Sequence, residues 1–132
     1  MARPVKPKLV GEAPRADYFK PRGIPMAQLE EVNLTVEELE ALRLVDLEGM
    51  YQEDAAREMG VSRQTIQRMI TEARAKVIEA LVSGKALRIE GGSYILKEGP
   101  GRYRCGRCGD EFPSRHGRKG RGWACPSCDS RE

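Results

Sequence analysis

Gln52 to Glu72 reads QEDAAREMGVSRQTIQRMITE, and this stretch decides the fold. Ala55, Ala56 and Met59 give a first helix a small apolar face. Gly60 stands where a helix can end in a left-handed residue. Val61 can plug the corner between two helices, and Ser62 is a preferred N-cap for the second. Ile66, Ile70, Ala73, Val77 and Leu81 then recur at three- and four-residue steps, which is one helical face. The Ala55-Ala56 pair before Gly60-Val61-Ser62 lets two helices cross closely at a steep angle. The outward face carries Gln64, Gln67, Arg68 and Thr71, with Arg63 and Thr65 at its edges. Side chains of these types, near the start of a helix, can pair with base edges in a DNA major groove. The competing reading is a helical hairpin whose polar face is only solvated. The Gln, Arg and Thr content, in place of the usual Glu and Lys mixture, favours recognition.

Upstream, Thr35 and Glu38 form a T-x-x-E capping box, and Leu34 and Leu39 fit a hydrophobic staple around it. The helix is expected to run to about Glu48, with Leu39, Leu42, Leu44, Val45 and Leu47 facing inward and Gly49 ending it. Met26 to Val32 suits a short helical turn. Tyr18 to Pro25, with two prolines and a glycine, is expected to be irregular, and Tyr18, Phe19 and Ile24 to pack on the helices. Residues 1–17 are rich in proline and basic residues and read as a flexible arm. Its Arg3, Lys6 and Lys8 can follow a DNA backbone or a minor groove, or be simply solvated.

Downstream, Ser83-Gly84 breaks the second helix. Leu87 to Glu90 alternates apolar and charged residues, Gly91-Gly92 suits a two-residue turn, and Ser93 to Leu96 returns, so a small hairpin is expected. It either covers the helices or touches DNA backbone through Lys85 and Arg88. A lone hairpin is barely stable and needs something to pack on. Residues 97–102, opening with KEGPG, read as a linker. The expected organisation is an arm (1–17), a helical DNA-binding domain with a hairpin (18–96), a linker (97–102) and a small β-rich metal module (103–132). The fold class is mainly α.

Cys105-x2-Cys108 and Cys125-x2-Cys128 are separated by sixteen residues. Two close pairs at this distance suit a structural zinc ribbon, in which each knuckle gives two thiolates to a tetrahedral Zn(2+). Disulfides or a redox CxxC are the rival readings. Four thiolates leave no open metal position, so catalytic zinc is not expected. Phe112 and Trp123 can pack beside the metal, and without metal so small a module would not fold. Between the knuckles, Arg115, Arg118, Lys119 and Arg121 stand among glycines beside His116, the only histidine. This run can neutralise phosphate or be a solvated loop.

Composition narrows the classes. The chain has 132 residues, of which 33% are charged and only 5% aromatic, so one large core is not expected. A net charge of +3 is too small to carry a nucleic-acid reading by itself. No apolar run approaches a membrane span and no signal-peptide pattern opens the chain, so the expected location is the cytoplasm, where paired cysteines favour metal. With one histidine, no phosphate-cradling loop after a strand and no nucleophile–base set, an enzyme is not expected.

Several stretches resemble a known family of small prokaryotic proteins, domain of unknown function 134, also called uncharacterised protein family 0251. They are Tyr18-Phe19-Lys20-Pro21, Gly23-Ile24-Pro25, Leu39 to Leu44, Gln52 to Ala56, Val61 to Thr65 and Gly84 to Gly92. The resemblance covers roughly residues 1–96 and implies a helix-turn-helix similar to region 4 of sigma-70 factors, with the helix after Ser62 in the major groove. Members often carry a cysteine near the N-terminus, where this chain has Val5-Lys6-Pro7. The expected function is sequence-specific binding of double-stranded DNA in transcription regulation, with a homodimer able to read two half-sites. The alternatives are an adaptor that docks on RNA polymerase and an RNA-binding protein led by the ribbon, stacking bases on Tyr103 or Trp123.

Overall fold

The computed structural model describes residues 8–99, 101–113, 118–119, 122–123 and 125–129. Its elements in order are β1 (Lys8–Val10), β2 (Tyr18–Phe19), a 3-10 turn (Met26–Gln28), β3 (Glu31–Leu34), α1 (Val36–Leu42), α2 (Gln52–Met59), α3 (Arg63–Ser83), β4 (Ala86–Ile89), β5 (Tyr94–Gly99), β6 (Arg102–Cys105), β7 (Glu111–Pro113), β8 (Arg118–Lys119), β9 (Gly122–Trp123) and a single turn α4 (Pro126–Asp129). Among these residues no helix is long and apolar enough to cross a membrane.

The fold is mixed α/β, not mainly α. One sheet has the order β1-β5-β6-β7 and a second the order β2-β4-β3. Both draw on segments that carry little periodic signal by themselves. The arm supplies β1, which runs parallel to β5, with Lys8 opposite Tyr94 and Val10 opposite Leu96. The proline-rich stretch supplies β2, antiparallel to β4. Part of the expected helical turn at 26–32 is instead β3, parallel to β4.

The expected hairpin around Gly91-Gly92 is a second correction. Both glycines do take positive φ, 77° and 95°. The strands they join, however, go to different sheets and do not pair with each other. β4 completes the sheet under α3, and β5 crosses to the sheet that holds the cysteines. Glu37 explains the crossing, because its carboxylate accepts from the Ser93 N–H at 2.7 Å. A Cβ on Gly92 would collide with that same carboxylate. Residues 97–102, read as a linker, include the end of β5 and the start of β6, which are paired antiparallel.

The capping box is formed. The Thr35 N–H donates to Glu38 Oε1 at 3.0 Å, and the Glu38 N–H donates to Thr35 Oγ1 at 3.2 Å. The helix passes from α into a π turn at Arg43–Leu47, where the Glu48 N–H reaches the Arg43 carbonyl at 2.8 Å. This rotation carries Leu47 into solvent, against expectation, while Leu44 stays buried.

Three glutamates of α1 are buried, each pinned by named partners. Glu37 pairs with Lys8 of β1 at 3.0 Å. Glu38 pairs with Lys76 of α3 at 2.7 Å. Glu40 holds Arg43 at 2.6 Å and accepts from the Gly11 N–H. A buried carboxylate is tolerated when partners satisfy it and is strongly destabilising when stripped of them. Here the partners tie the arm and α3 to α1.

Two apolar clusters fill the helical region. Ala41, Leu44, Ala55, Ala56, Met59, Ile66, Met69 and Ile70 lie between α1, α2 and α3. Val10, Leu34, Val36, Ala73 and Ile89 join α1, α3 and the sheets.

Candidate nucleic-acid interface and cysteine cluster

Helices α2 and α3 stand at the expected places. Gly60 ends α2 in the left-handed region (φ 70°), and Ser62 starts α3 by accepting from the Thr65 N–H. Val61 is partly buried against the α2–α3 cluster, at the corner.

Placed on this frame, the six residues expected to read DNA divide into two groups. Arg63, Gln64, Gln67 and Arg68 are exposed, and their side chains form no hydrogen bond or ion pair with another described residue. Thr65 is half-buried, with its hydroxyl 2.9 Å from that of Ser62. The Thr71 hydroxyl is exposed but donates to the Gln67 carbonyl at 2.8 Å, so only its lone pairs are open to a partner. Gln64, Gln67, Arg68 and Thr71 line a shallow groove of about 360 Å³ together with Glu72. Nothing in the sequence singles out Glu72, although it continues the four-residue step of Gln64 and Arg68. An acid there repels phosphate and can accept from a cytosine amino group.

Of the other basic residues expected to touch DNA backbone, the three with described side chains, Lys8, Lys85 and Arg88, are paired with acids. Lys8 is bound to Glu37. Lys85 lies 3.0 Å from Glu79 and 3.4 Å from Glu30. Arg88 forms two bonds with Glu31, at 3.2 and 2.7 Å, and lies 4.9 Å over the Tyr18 ring. The hydrogen bond to Glu31 is the main reason the Arg88 pKa is raised. These ion pairs hold Lys8, Lys85 and Arg88 to neighbouring elements of the fold. Arg3, Lys6, Arg115, His116 and Arg121 lie outside the described residues, and of Arg118 and Lys119 only the backbone, as β8, is described.

The second site is the cysteine cluster. Cys105 ends β6, Cys108 follows in the turn to β7, and Cys125 and Cys128 flank and enter α4. All four are free thiols, and their sulfurs lie within 4.8 Å of one another. Cys105 and Cys128 are 3.9 Å apart, and Cys108 and Cys125 are 3.5 Å apart. Tetrahedral zinc with bonds of about 2.3 Å requires sulfurs roughly 3.8 Å apart. The Arg107 N–H points at the Cys105 sulfur (3.3 Å) and the Cys128 N–H at the Cys125 sulfur (3.5 Å), which supports thiolates. The four cysteines can therefore hold a metal ion, and soft, fully sulfur ligation fits zinc. A Cβ at Gly106, in the first knuckle, would run into the Tyr94 ring.

Burial opposes a thiolate at Cys105, but the N–H groups of Cys108 and Arg107 outweigh it and lower the pKa. Hydrogen bonding to Cys108, with burial second, pushes Cys128 up to about 12. Burial also raises Cys125. Metal must then displace protons that are firmly held at Cys125 and Cys128, so apparent affinity should fall as pH falls. A chelator-competition titration between pH 8 and about pH 6 is expected to show this loss, and a pH-independent affinity would contradict thiolate ligation.

The cluster is joined to the rest of the fold through the arm. Leu9 packs with Ile95, Cys105, Phe112 and Cys125, and Tyr103 stacks on Phe112 with ring centroids 6.3 Å apart. The next residue, Val10, is fully buried in the α1–α3 cluster. Adjacent strand residues point to opposite faces, so two consecutive side chains of β1 bridge the two cores. The side chain of Trp123 lies outside the described part.

The architecture is thus a core of three helices packed with two small sheets, and a cluster of four cysteines formed by the end of β6, the turn after it and α4. The chain belongs to the family described as protein of unknown function DUF134, whose profile matches residues 1–97. It is 50% identical over 131 residues to a UPF0251 protein of Halothermothrix orenii, covering 98% of this chain and 96% of that one. It is 52% identical over 132 residues to a UPF0251 protein of Moorella thermoacetica, covering 100% of this chain and 85% of the relative. A UPF0251 protein of Methanosarcina acetivorans is 55% identical over 96 residues, or 73% of this chain and 86% of its own length. No solved structure matches the chain.

Proposed function

We infer that this chain is a sequence-specific DNA-binding regulator of transcription, acting in the cytoplasm without catalysis of its own. Its helix-turn-helix is α2 and α3, and the first half of α3 enters the major groove. One observation carries the reading. Arg63, Gln64, Gln67 and Arg68 project from the start of a capped helix with no partner among the described residues, whereas the cations named above on β1 and β4 are paired. Long polar side chains left open on one helical face suit base-edge hydrogen bonds. Arg68 and Gln64 read bases, with Gln67 and Thr71 beside them, and Arg63 anchors phosphate at the helix start. The resident metal is zinc, held by Cys105, Cys108, Cys125 and Cys128 in a structural ribbon. The Arg115–Arg121 run adds backbone affinity.

Arg68→Ala is expected to weaken specific binding by roughly 1–3 kcal/mol and to relax base choice at one position. Electrophoretic mobility shifts with the selected site and its point variants measure both effects. Unchanged affinity would mean that this face of α3 does not read DNA. Tight capture of RNA polymerase with only weak, salt-sensitive DNA binding would favour the adaptor reading. Zinc-dependent preference for single-stranded RNA would favour the RNA reading.

A further inference from the structure

We propose that Glu72 determines specificity on the reading face of α3 by selecting a cytosine, so that the bound DNA carries a C·G pair close to the pair read by Arg68. The proposal rests on the DNA-binding reading and gives that same face one more residue and its base.

Glu72 lies in the shallow groove of about 360 Å³ that Gln64, Gln67, Arg68 and Thr71 also line. It is exposed, and its carboxylate forms no hydrogen bond or ion pair with another described residue. The cations one turn away do not neutralise it. Arg68 forms no ion pair with a described residue, and Lys76 is held 2.7 Å from Glu38. The other acid of α3, Glu79, is bound to Lys85 at 3.0 Å. The helix thus ties down one carboxylate and leaves the other open among the side chains that face DNA.

A free carboxylate on that face is repelled by phosphate. The cost is offset where DNA offers it a donor. Two amino groups do so in the major groove, N4 of cytosine and N6 of adenine. Adenine sets its amino group beside the N7 acceptor, which repels a carboxylate and suits an amide that donates and accepts together. Cytosine presents its amino group with no acceptor on the same base edge. Glutamate therefore selects cytosine, and glutamine at the same place selects adenine.

The spacing gives each side chain its own base pair. Gln64, Arg68 and Glu72 follow at four-residue steps. Each step is about 6 Å along the helix, or roughly two base pairs at 3.4 Å. Amide, guanidinium and carboxylate then meet successive parts of one site, with adenine, guanine and cytosine as their preferred bases.

Selection from a random pool of double-stranded oligonucleotides, using the full chain with zinc supplied, tests the assignment. The wild type should enrich a motif with a C·G pair within about three base pairs of the pair whose preference is lost in Arg68→Ala. Glu72→Gln should change that C·G pair to A·T and leave the other positions as they are. Glu72→Ala should lose the preference there alone, with discrimination reduced at least about fivefold in competition mobility shifts. Its affinity for unselected DNA should equal or exceed that of the wild type, because a negative charge has been removed. Three results would overturn the proposal and leave the DNA-binding reading standing: an unchanged motif in both Glu72 variants, a change confined to the pair that Arg68→Ala alters, or weaker binding of every sequence by Glu72→Ala. A wild type that enriches no motif would overturn both.

Discussion

Removing the metal proposed at the four cysteines with a strong chelator is expected to unfold the cysteine-bearing part and to loosen the arm with it. Among the described residues, few side chains are buried around Cys105 and Cys125: Leu9, Ile95 and Phe112, with Tyr103 partly covered. That is far too little apolar surface for a stable unit. Structural zinc contributes about 10–16 kcal/mol of apparent binding free energy in small Cys-rich modules near neutral pH, so metal loss removes the main support of β6, β7 and α4. Leu9 then loses its packing while Val10 keeps its own. Hydrogen exchange should show lost protection across 102–113 and 125–129, reduced protection in β1, and little change in α2 and the first half of α3. Intact protection of β6 after chelation would mean that the metal is not what holds this sheet.

Glu37→Ala is expected to destabilise the whole domain by about 3–5 kcal/mol, the usual effect of removing one partner from a buried ion pair. Lys8, itself mostly covered, would lose its only ion-pair partner among the described residues. The Ser93 N–H would lose its acceptor, and the crossing from β4 to β5 would lose its anchor. Urea denaturation followed by helix content measures the loss. Glu37→Gln keeps the acceptor and should recover part of it. A change below about 1 kcal/mol for the alanine variant would place it with ordinary surface substitutions and show that Glu37 does not pin the arm.

The parts legible in the sequence are those written in local chemistry. The Thr35–Glu38 box, the Gly60-Val61-Ser62 corner and the face of Ile66, Ile70 and Ala73 each need only neighbours a few residues away. The cysteine spacing is local within each knuckle, and the structure brings both knuckles together. What stayed hidden depends on distant partners. β1 is three residues long and pairs with a strand more than eighty residues later, so no periodicity announces it. Gly91-Gly92 has the backbone of a turn, but Glu37 decides where the following strand goes. Glu38 is legible as the capping partner of Thr35, but the burial of Glu37, Glu38 and Glu40 depends on Lys8, Lys76, Gly11 and Arg43. Leu81 continues the apolar period of α3 yet is exposed, while its neighbour Ala80 is buried. Periodicity marks an apolar face and does not say how far along the helix that face is covered.

The most direct test of the DNA-binding reading is capture of sheared genomic DNA by the zinc-loaded protein at near-physiological salt, followed by sequencing. Enrichment of a few sites sharing a short motif is the expected result, with the motif lost or relaxed in Arg68→Ala. Even recovery across the genome, or none, would contradict a sequence-specific regulator and leave α2 and α3 as a scaffold for binding something other than DNA.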